Sequence, residues 1–140
     1  MKHKYAIILA AGLALCFSTA CSLPQAEASG AYVAAETGTA ALVAKNPALR
    51  APIALLVADW SKYLNGTLTP ADEVAALQSI VAATKSGLSP TQAALLDGAT
   101  QQFLANQNAS APTPIGGAAA AIITDVVNGA GRALVISASS

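Results

Sequence analysis

The spacing of the apolar residues constrains this chain most, because from residue 30 onward they recur at intervals of three and four. Such intervals place apolar side chains on one face of an α-helix, whereas a half-buried strand needs strict alternation, which is scarce in this chain. Alanine, the strongest helix former, supplies about a quarter of the residues. The sequence therefore predicts an all-α fold, a small bundle of roughly four to five short helices.

Two helix starts share one local pattern, in which a Thr or Ser N-cap precedes a proline. Thr69-Pro70 begins one predicted helix, and Ser89-Pro90 begins the next one 20 residues later. The hydroxyl of each cap can accept a hydrogen bond from a backbone N–H that the helix leaves unpaired. Proline has no backbone N–H, and this costs nothing at the first helical position, where an N–H would have no partner within the helix. Gly87 ends the first of these helices, so we expect the pair to form an antiparallel hairpin.

Three further helical segments are predicted, at residues 31–44, 52–64 and 115–127, and for the second a start directly after Asn46-Pro47 stays open as an alternative to Pro52. The last one stops before Asn128-Gly129, a pair that is typical of helix ends. At about 13 residues it is shorter than the roughly 20 residues that a membrane-spanning helix needs. We therefore expect a packed terminal helix there, followed by either a frayed helix or a strand edge at residues 133–136.

Trp60 and Tyr63 are the candidate interaction residues of the sequence. Both belong to the predicted helix at residues 52–64. Large aromatic side chains dominate the energetics of protein cores and of protein interfaces. Two alternatives therefore stay open for this pair: the largest pieces of a small core, which we favour, and a patch that binds a partner.

The N-terminus has the three parts of a bacterial secretion signal in order. Lys2, His3 and Lys4 form a basic stretch, residues 5–17 form an apolar run, and small residues follow. An apolar run of about 13 residues is too short to span a hydrocarbon core of ~30 Å and is typical of a signal peptide. We therefore expect residues 1–20 to be a signal peptide that directs export.

The tetrapeptide Ser18-Thr19-Ala20-Cys21 resembles the lipobox of bacterial lipoprotein precursors. The resemblance covers only the signal peptide and this tetrapeptide, and it implies that the chain is cut before Cys21 and that the Cys21 thiol carries a lipid. Ser22 resembles the family's signal for delivery to the outer membrane. Ala26-Glu27-Ala28 matches an ordinary cleavage site, so a soluble secreted protein stays open as an alternative.

The cysteine content agrees with lipid attachment. Cys16 lies inside the predicted signal peptide, so the mature chain keeps Cys21 alone and forms no internal disulfide. An unpaired cysteine is unusual in an exported protein, and an attached lipid accounts for it. The expected division is a signal peptide at residues 1–20, a tether rich in small and polar residues at 21–29, and a helical domain at 30–140.

Charge and histidine content exclude several functions. Without Lys2 and Lys4, five basic residues remain against seven acidic ones, and the basic residues are scattered, whereas nucleic-acid binding depends on several of them on one face. His3 is the only histidine, and its loss with the signal peptide excludes Ser-His-Asp catalysis and His-ligated zinc. Asp72 and Glu73, the only adjacent carboxylates, are expected to stabilise a helix start rather than to catalyse a reaction.

These observations predict a small exported, lipid-anchored protein of the outer membrane or periplasm, with a non-enzymatic structural or protein-interaction role. Its expected partners are the membrane, through the lipid on Cys21, and a protein partner or a second copy of the chain. No nucleic acid, cofactor, metal or catalytic residue is expected. The alternatives are a membrane-active or pore-associated protein that uses residues 115–135, and a soluble secreted helical protein. A further alternative is a hydrolase with a carboxylate mechanism, in which Asp72 or Glu73 converges with Asp59, Asp97 or Asp125 in one cleft.

Overall fold

The computed structural model describes residues 25–109 and 113–138 of the chain. Within these residues the chain forms six α-helices, one 3-10 turn and no strand, which confirms the predicted all-α fold. The elements are α1 (Gln25–Lys45), the 3-10 turn (Pro47–Leu49), α2 (Arg50–Ala58), α3 (Trp60–Leu64), α4 (Ala71–Lys85), α5 (Pro90–Asn108) and α6 (Gly117–Ala138). The predicted signal peptide and Cys21 lie outside the described residues, and α1 begins within the segment predicted as a tether.

Helix α6 contacts all five of the other helices and lies at the centre of the bundle, and α1 packs against both α6 and α4. The buried residues of α1 are Ala31, Ala35, Thr39 and Val43. These positions recur every four residues and therefore form one stripe along the helix. Because most of the stripe is small, the axes of the neighbouring helices can come close to that of α1.

The contact between α1 and α6 is tightest at Gly129. A methyl group on Gly129 would overlap the carbonyl oxygen of Tyr32 and would lie 3.0 Å from the Cβ of Ala35. Carbon atoms pack at roughly 3.5–4.0 Å, so no larger residue fits there unless the helices separate. Gly129 therefore sets how closely α6 approaches α1.

A second close contact joins α1 to α4. A methyl group on Gly38 would lie 2.6 Å from the carbonyl oxygen of Ala83, and one on Gly87 would lie 3.1 Å from the Cβ of Ala34. As the residue number falls along α1, the number of its neighbour rises along α4. The two helices are therefore antiparallel.

The predicted end of the terminal helix at Asn128-Gly129 is wrong. Helix α6 continues through this pair to Ala138, so residues 133–136 are helical. Gly129 is buried against α1, and this contact holds it in helical conformation. The pair Asn128-Gly129 by itself is typical of the end of a helix. Tertiary packing overrides the local preference of this glycine.

The predicted helix at residues 52–64 is divided into α2 and α3 at Asp59. Both short helices run antiparallel to α6. The guanidinium Nη1 of Arg50 donates to the carbonyl oxygen of Leu134 at 3.5 Å near the end of α6, and Ile115 N–H donates to the carbonyl oxygen of Leu64 at 2.9 Å near its start. These contacts place α2 and α3 along α6.

The start of α5 confirms its predicted cap. Ser89 Oγ accepts the backbone N–H of Gln92 at 3.2 Å, and Gln92 Oε1 accepts the backbone N–H of Ser89 at 3.0 Å. The two bonds form a reciprocal capping box, with Pro90 at the first helical position. They satisfy N–H groups that a helix start otherwise leaves unpaired.

The predicted cap at Thr69 is wrong, although its sequence pattern matches that of Ser89. Pro70 stands at the N-cap of α4, and no side chain caps this start. The N–H of Thr69 donates to Gln107 Oε1 on α5 at 3.0 Å, and the buried Thr69 hydroxyl has no hydrogen-bond partner within the described part of the chain. The contact with α5 therefore determines the orientation of Thr69.

We predict that Gly129→Ala lowers the free energy of unfolding by about 1–3 kcal/mol, because the added methyl group overpacks the contact with α1. The matched control is Gly98→Ala, since a methyl group on Gly98, in the middle of α5, meets nothing within 4 Å. The control is expected to raise the free energy of unfolding by roughly 0.5–1 kcal/mol, the usual gain of alanine over glycine in a helix. Urea unfolding followed by circular dichroism measures both changes, and a stabilising Gly129→Ala would contradict the close contact.

Candidate functional site

The structure places Trp60 and Tyr63 in the core, which is the alternative that the sequence favours. Trp60 is 4 % exposed and Tyr63 is 5 % exposed. The indole Nε1–H of Trp60 donates to Thr124 Oγ1 on α6 at 3.0 Å, and its ring stacks on Phe103 of α5 with 5.6 Å between the centroids. Both residues therefore hold neighbouring helices together inside the bundle.

A buried hydrogen bond joins Tyr63 to Glu73 of α4. The Tyr63 hydroxyl donates to Glu73 Oε1 at 2.5 Å, and Glu73 is 5 % exposed. Burial of the phenol, followed by its contact with the Glu73 carboxylate, raises the pKa of Tyr63 well above 10. The phenol therefore stays protonated and remains a donor to Glu73, which lies in the first turn of α4 as the sequence predicts.

We predict that Tyr63→Phe lowers the free energy of unfolding by about 1–3 kcal/mol, because it leaves a buried carboxylate without its hydroxyl donor. Tyr32→Phe is the matched control, since Tyr32 is only partly buried. The control should change the free energy of unfolding by less than about 0.5 kcal/mol. Equal effects of the two variants in urea unfolding would argue against the Tyr63–Glu73 bond.

Two of the other carboxylates named by the sequence form salt bridges, and a third is exposed. Asp59 pairs with Lys62 at 3.5 Å, Asp97 pairs with Lys85 at 3.0 Å, and Asp72 is exposed at the start of α4. Within the described residues no group of three or more Cys, His, Asp or Glu side chains could hold a metal ion.

Asp125 of α6 is half-buried and differs from these carboxylates. Burial raises the pKa of Asp125 from 3.8 to about 6 because it disfavours the ionised form. A group whose pKa is higher in the folded state favours folding more as the pH falls through that pKa. Ionised Asp125 therefore lowers stability at neutral pH, and protonation between about pH 6 and pH 4 relieves this cost.

We predict that Asp125→Asn raises the free energy of unfolding at pH 7 by about 1–2 kcal/mol, because it removes a half-buried negative charge. This range is smaller than the raised pKa alone would imply, since the carboxyl group keeps some contact with solvent. The gain should shrink at pH 4, where the wild-type group is protonated in the folded state. Asp72→Asn is the control, because Asp72 is an exposed carboxylate at a helix N-terminus, where its negative charge stabilises by roughly 0.3–1 kcal/mol. Urea titrations at both pH values should give opposite signs for the two variants at pH 7.

An open groove lies between α1 and α4, beside their close contact, and has a volume of about 680 Å³. We call it the α1/α4 groove. Most of its residues are small or apolar, and they are Gly30, Val33, Ala34, Thr37, Gly38, Ala41, Leu42, Lys45, Ala83, Ser86 and Gly87. Ligand sites typically have volumes of roughly 300–1,000 Å³ and mostly apolar linings, and the α1/α4 groove falls in this class.

The charge and exposure of the groove lining are uneven. Val33 is 60 % exposed although it is apolar. Among the residues that the structure describes, Lys45 at the end of α1 is the only charged one that lines the groove, and no carboxylate lines it. The groove is therefore a mostly apolar trough with a single positive charge at one end.

Sequence analysis did not identify the α1/α4 groove. One signal was available, because small and apolar residues occur all around α1 between Gly30 and Ala44, where a helix with one buried face would carry polar residues opposite that face. The depth of the α1/α4 groove depends on how closely α1 approaches α4, and this distance cannot be predicted from the spacing of residues along the sequence.

Comparison with known protein families, with curated proteins and with solved structures found no match to this chain. Cys21, the predicted site of lipid attachment, lies outside the described residues. The α1/α4 groove is a candidate binding site within the described part of the chain.

Proposed function

We propose that this chain is a small exported protein that is anchored by a lipid on Cys21 to the cell envelope, at the outer membrane or in the periplasm. One observation carries the proposal: a basic stretch, an apolar run of about 13 residues and Ser18-Thr19-Ala20-Cys21 follow one another in the order of a lipoprotein precursor. Three acyl chains, as the resemblance implies, anchor a protein firmly, since each buried methylene contributes about 0.8 kcal/mol.

The start of α1 supports a role close to the membrane surface. The helix begins at Gln25, four positions after Cys21. Four residues of extended chain span at most about 14 Å, so the lipid would hold the bundle near the headgroups. A position so close to the membrane suits a structural or interaction module of the envelope.

The α1/α4 groove supports a non-enzymatic binding role for the helical domain. It combines exposed apolar surface with one charged end, which suits recognition of a ligand or of a partner. Trp60 and Tyr63 are buried and do not form a binding surface. We therefore assign the binding role to the α1/α4 groove. Self-association or binding of a protein partner remains part of the proposal.

A membrane-active protein is a second candidate, and the length of α6 favours it. Residues Gly117–Ile136 are long enough and apolar enough to cross a membrane, with a mean hydropathy of 1.4. The same residues supply much of the core through Ile122, Ile123, Val126 and Val127, all fully buried. Insertion of α6 into a bilayer would therefore require the bundle to open.

We predict that the protein purified from bacterial membranes has the intact mass of a chain that begins at Cys21 and carries acyl chains there. Cys21→Ala is expected to remove the acyl mass and to release the protein into the soluble fraction. Cys16→Ala is the control and should leave the mature mass and the membrane fraction unchanged, because Cys16 lies in the predicted signal peptide.

A mature chain that begins at Ser29, or an unmodified Cys21 thiol in a soluble protein, would overturn the lipid anchor. Retention of Cys21→Ala in the membrane after a carbonate wash would instead favour the membrane-active alternative. Intact mass and fractionation therefore separate the proposal from both alternatives.

A further inference from the structure

We propose that the α1/α4 groove binds one long-chain fatty acid, with its carboxylate at Lys45 and its alkyl chain lying along α1 toward Gly30. This inference rests on the binding role proposed above, and it does not depend on lipid attachment at Cys21. The carboxylate of the fatty acid would pair with the exposed ammonium group of Lys45, so binding needs neither a buried salt bridge nor a metal.

The lining of the groove suits an alkyl chain. Between Gly30 and Lys45, α1 presents Val33, Leu42 and Thr37 together with glycine and alanine. Ala83 of α4 and the residues Ser86 and Gly87 that follow this helix complete the lining. The lining has two hydroxyl groups, and neither has to be buried unpaired by an alkyl chain: Ser86 Oγ donates to the carbonyl oxygen of Ala83 at 3.2 Å, and Thr37 is exposed to water. Burial of the chain would remove from water both its own methylenes and exposed apolar surface such as Val33.

The length of the groove also fits this ligand. Gly30 and Lys45 lie about 22 Å apart along α1, at 1.5 Å per residue. An acyl chain that fills half of a hydrocarbon core of ~30 Å is about 15 Å long. The groove therefore accommodates such a chain together with the Lys45 side chain that reaches its carboxylate.

The charge of the lining decides the chemical class of the head group. Lys45 is exposed and forms no salt bridge within the described residues, where the two salt bridges use Lys62 and Lys85. Lys85, next to the groove, is already paired with Asp97 at 3.0 Å. One available ammonium group and the absence of a lining carboxylate favour an anionic head group over a neutral or cationic one.

The lining fits a fatty acid better than a second protein chain. Protein interfaces are dominated by large aromatic or Arg anchors in well-packed pockets, and a specific interface buries about 800 Å² on each partner. The groove offers Val33 and Leu42 as its only large apolar side chains among the described residues, and the rest of its lining is glycine and alanine together with Thr37, Ser86 and Lys45. A narrow alkyl chain fits such a floor without large side chains of its own.

The test uses a hexadecanoate that carries a photoreactive diazirine on its terminal carbon. It is crosslinked to the purified mature protein and located by fragment mass spectrometry. We expect crosslinks at residues 30–38, at the end of the groove away from Lys45, and one labelled molecule per chain. Unlabelled hexadecanoate should suppress the crosslinks at lower concentration than hexadecanol, which has the same chain without the charge.

Two variants with matched controls test the two ends of the ligand. Lys45→Gln should weaken competition by hexadecanoate by about 2- to 5-fold, the range for an exposed ion pair, and should leave competition by hexadecanol unchanged. Lys62→Gln is its control. Ala41→Phe, at an exposed lining position, should reduce crosslinking roughly 10-fold or more by filling the groove, whereas Ala105→Phe, at an exposed position of α5, should not.

Scattered crosslinks, crosslinks at residues 30–38 that excess hexadecanoate does not suppress, or equal competition by hexadecanol would overturn the fatty-acid site. Crosslinking that appears only after Cys21→Ala would also overturn it, because the lipid on Cys21 would then be the occupant. Suppression by phosphatidylglycerol vesicles but not by hexadecanoate would identify a membrane surface instead. An acylated Cys21 without specific crosslinks leaves the proposed anchor intact, and specific crosslinks on a protein with a free Cys21 thiol leave the ligand site intact.

Discussion

The close approach of α1 to α6 and α4 is the constraint on which the rest of this bundle depends. Small residues fill the contacts, and Gly129 and Gly38 leave no space for a side chain. Alanine buries little apolar area, so a core rich in alanine gains stability only if the helix backbones come near enough to make dispersion contacts along their length. Close packing of this kind compensates for the scarcity of large apolar side chains in the chain.

Helix α3 has only five residues, yet it links three other helices. Trp60 stacks on Phe103 of α5 and donates a hydrogen bond to Thr124 of α6, while Tyr63 donates one to Glu73 of α4. The aromatic rings bury apolar area, and the Trp60 N–H and Tyr63 O–H groups form hydrogen bonds with polar groups inside the bundle. This corner therefore complements the tight alanine and glycine contacts around α1 with large side chains and directional bonds.

The same small residues that bring α1 and α4 together leave an apolar trough beside the contact, with Lys45 at one end. A trough of this shape suits a thin apolar ligand more than a protein partner. Its position on α1 also matters for the proposed anchor, since the helix begins four positions after Cys21. A lipid on Cys21 would place the α1/α4 groove close to a membrane, where fatty acids are available.

The sequence by itself determined the all-α fold, the capping box at Ser89 and the hairpin of α4 and α5, because these depend on residues that are near one another along the chain. It did not determine the orientation of Thr69 or the continuation of α6 through Gly129, since contacts with α5 and α1 decide them. The α1/α4 groove likewise follows from a distance between two helices. Local patterns specify where helices form, whereas only tertiary packing decides how closely they approach and which surfaces remain exposed.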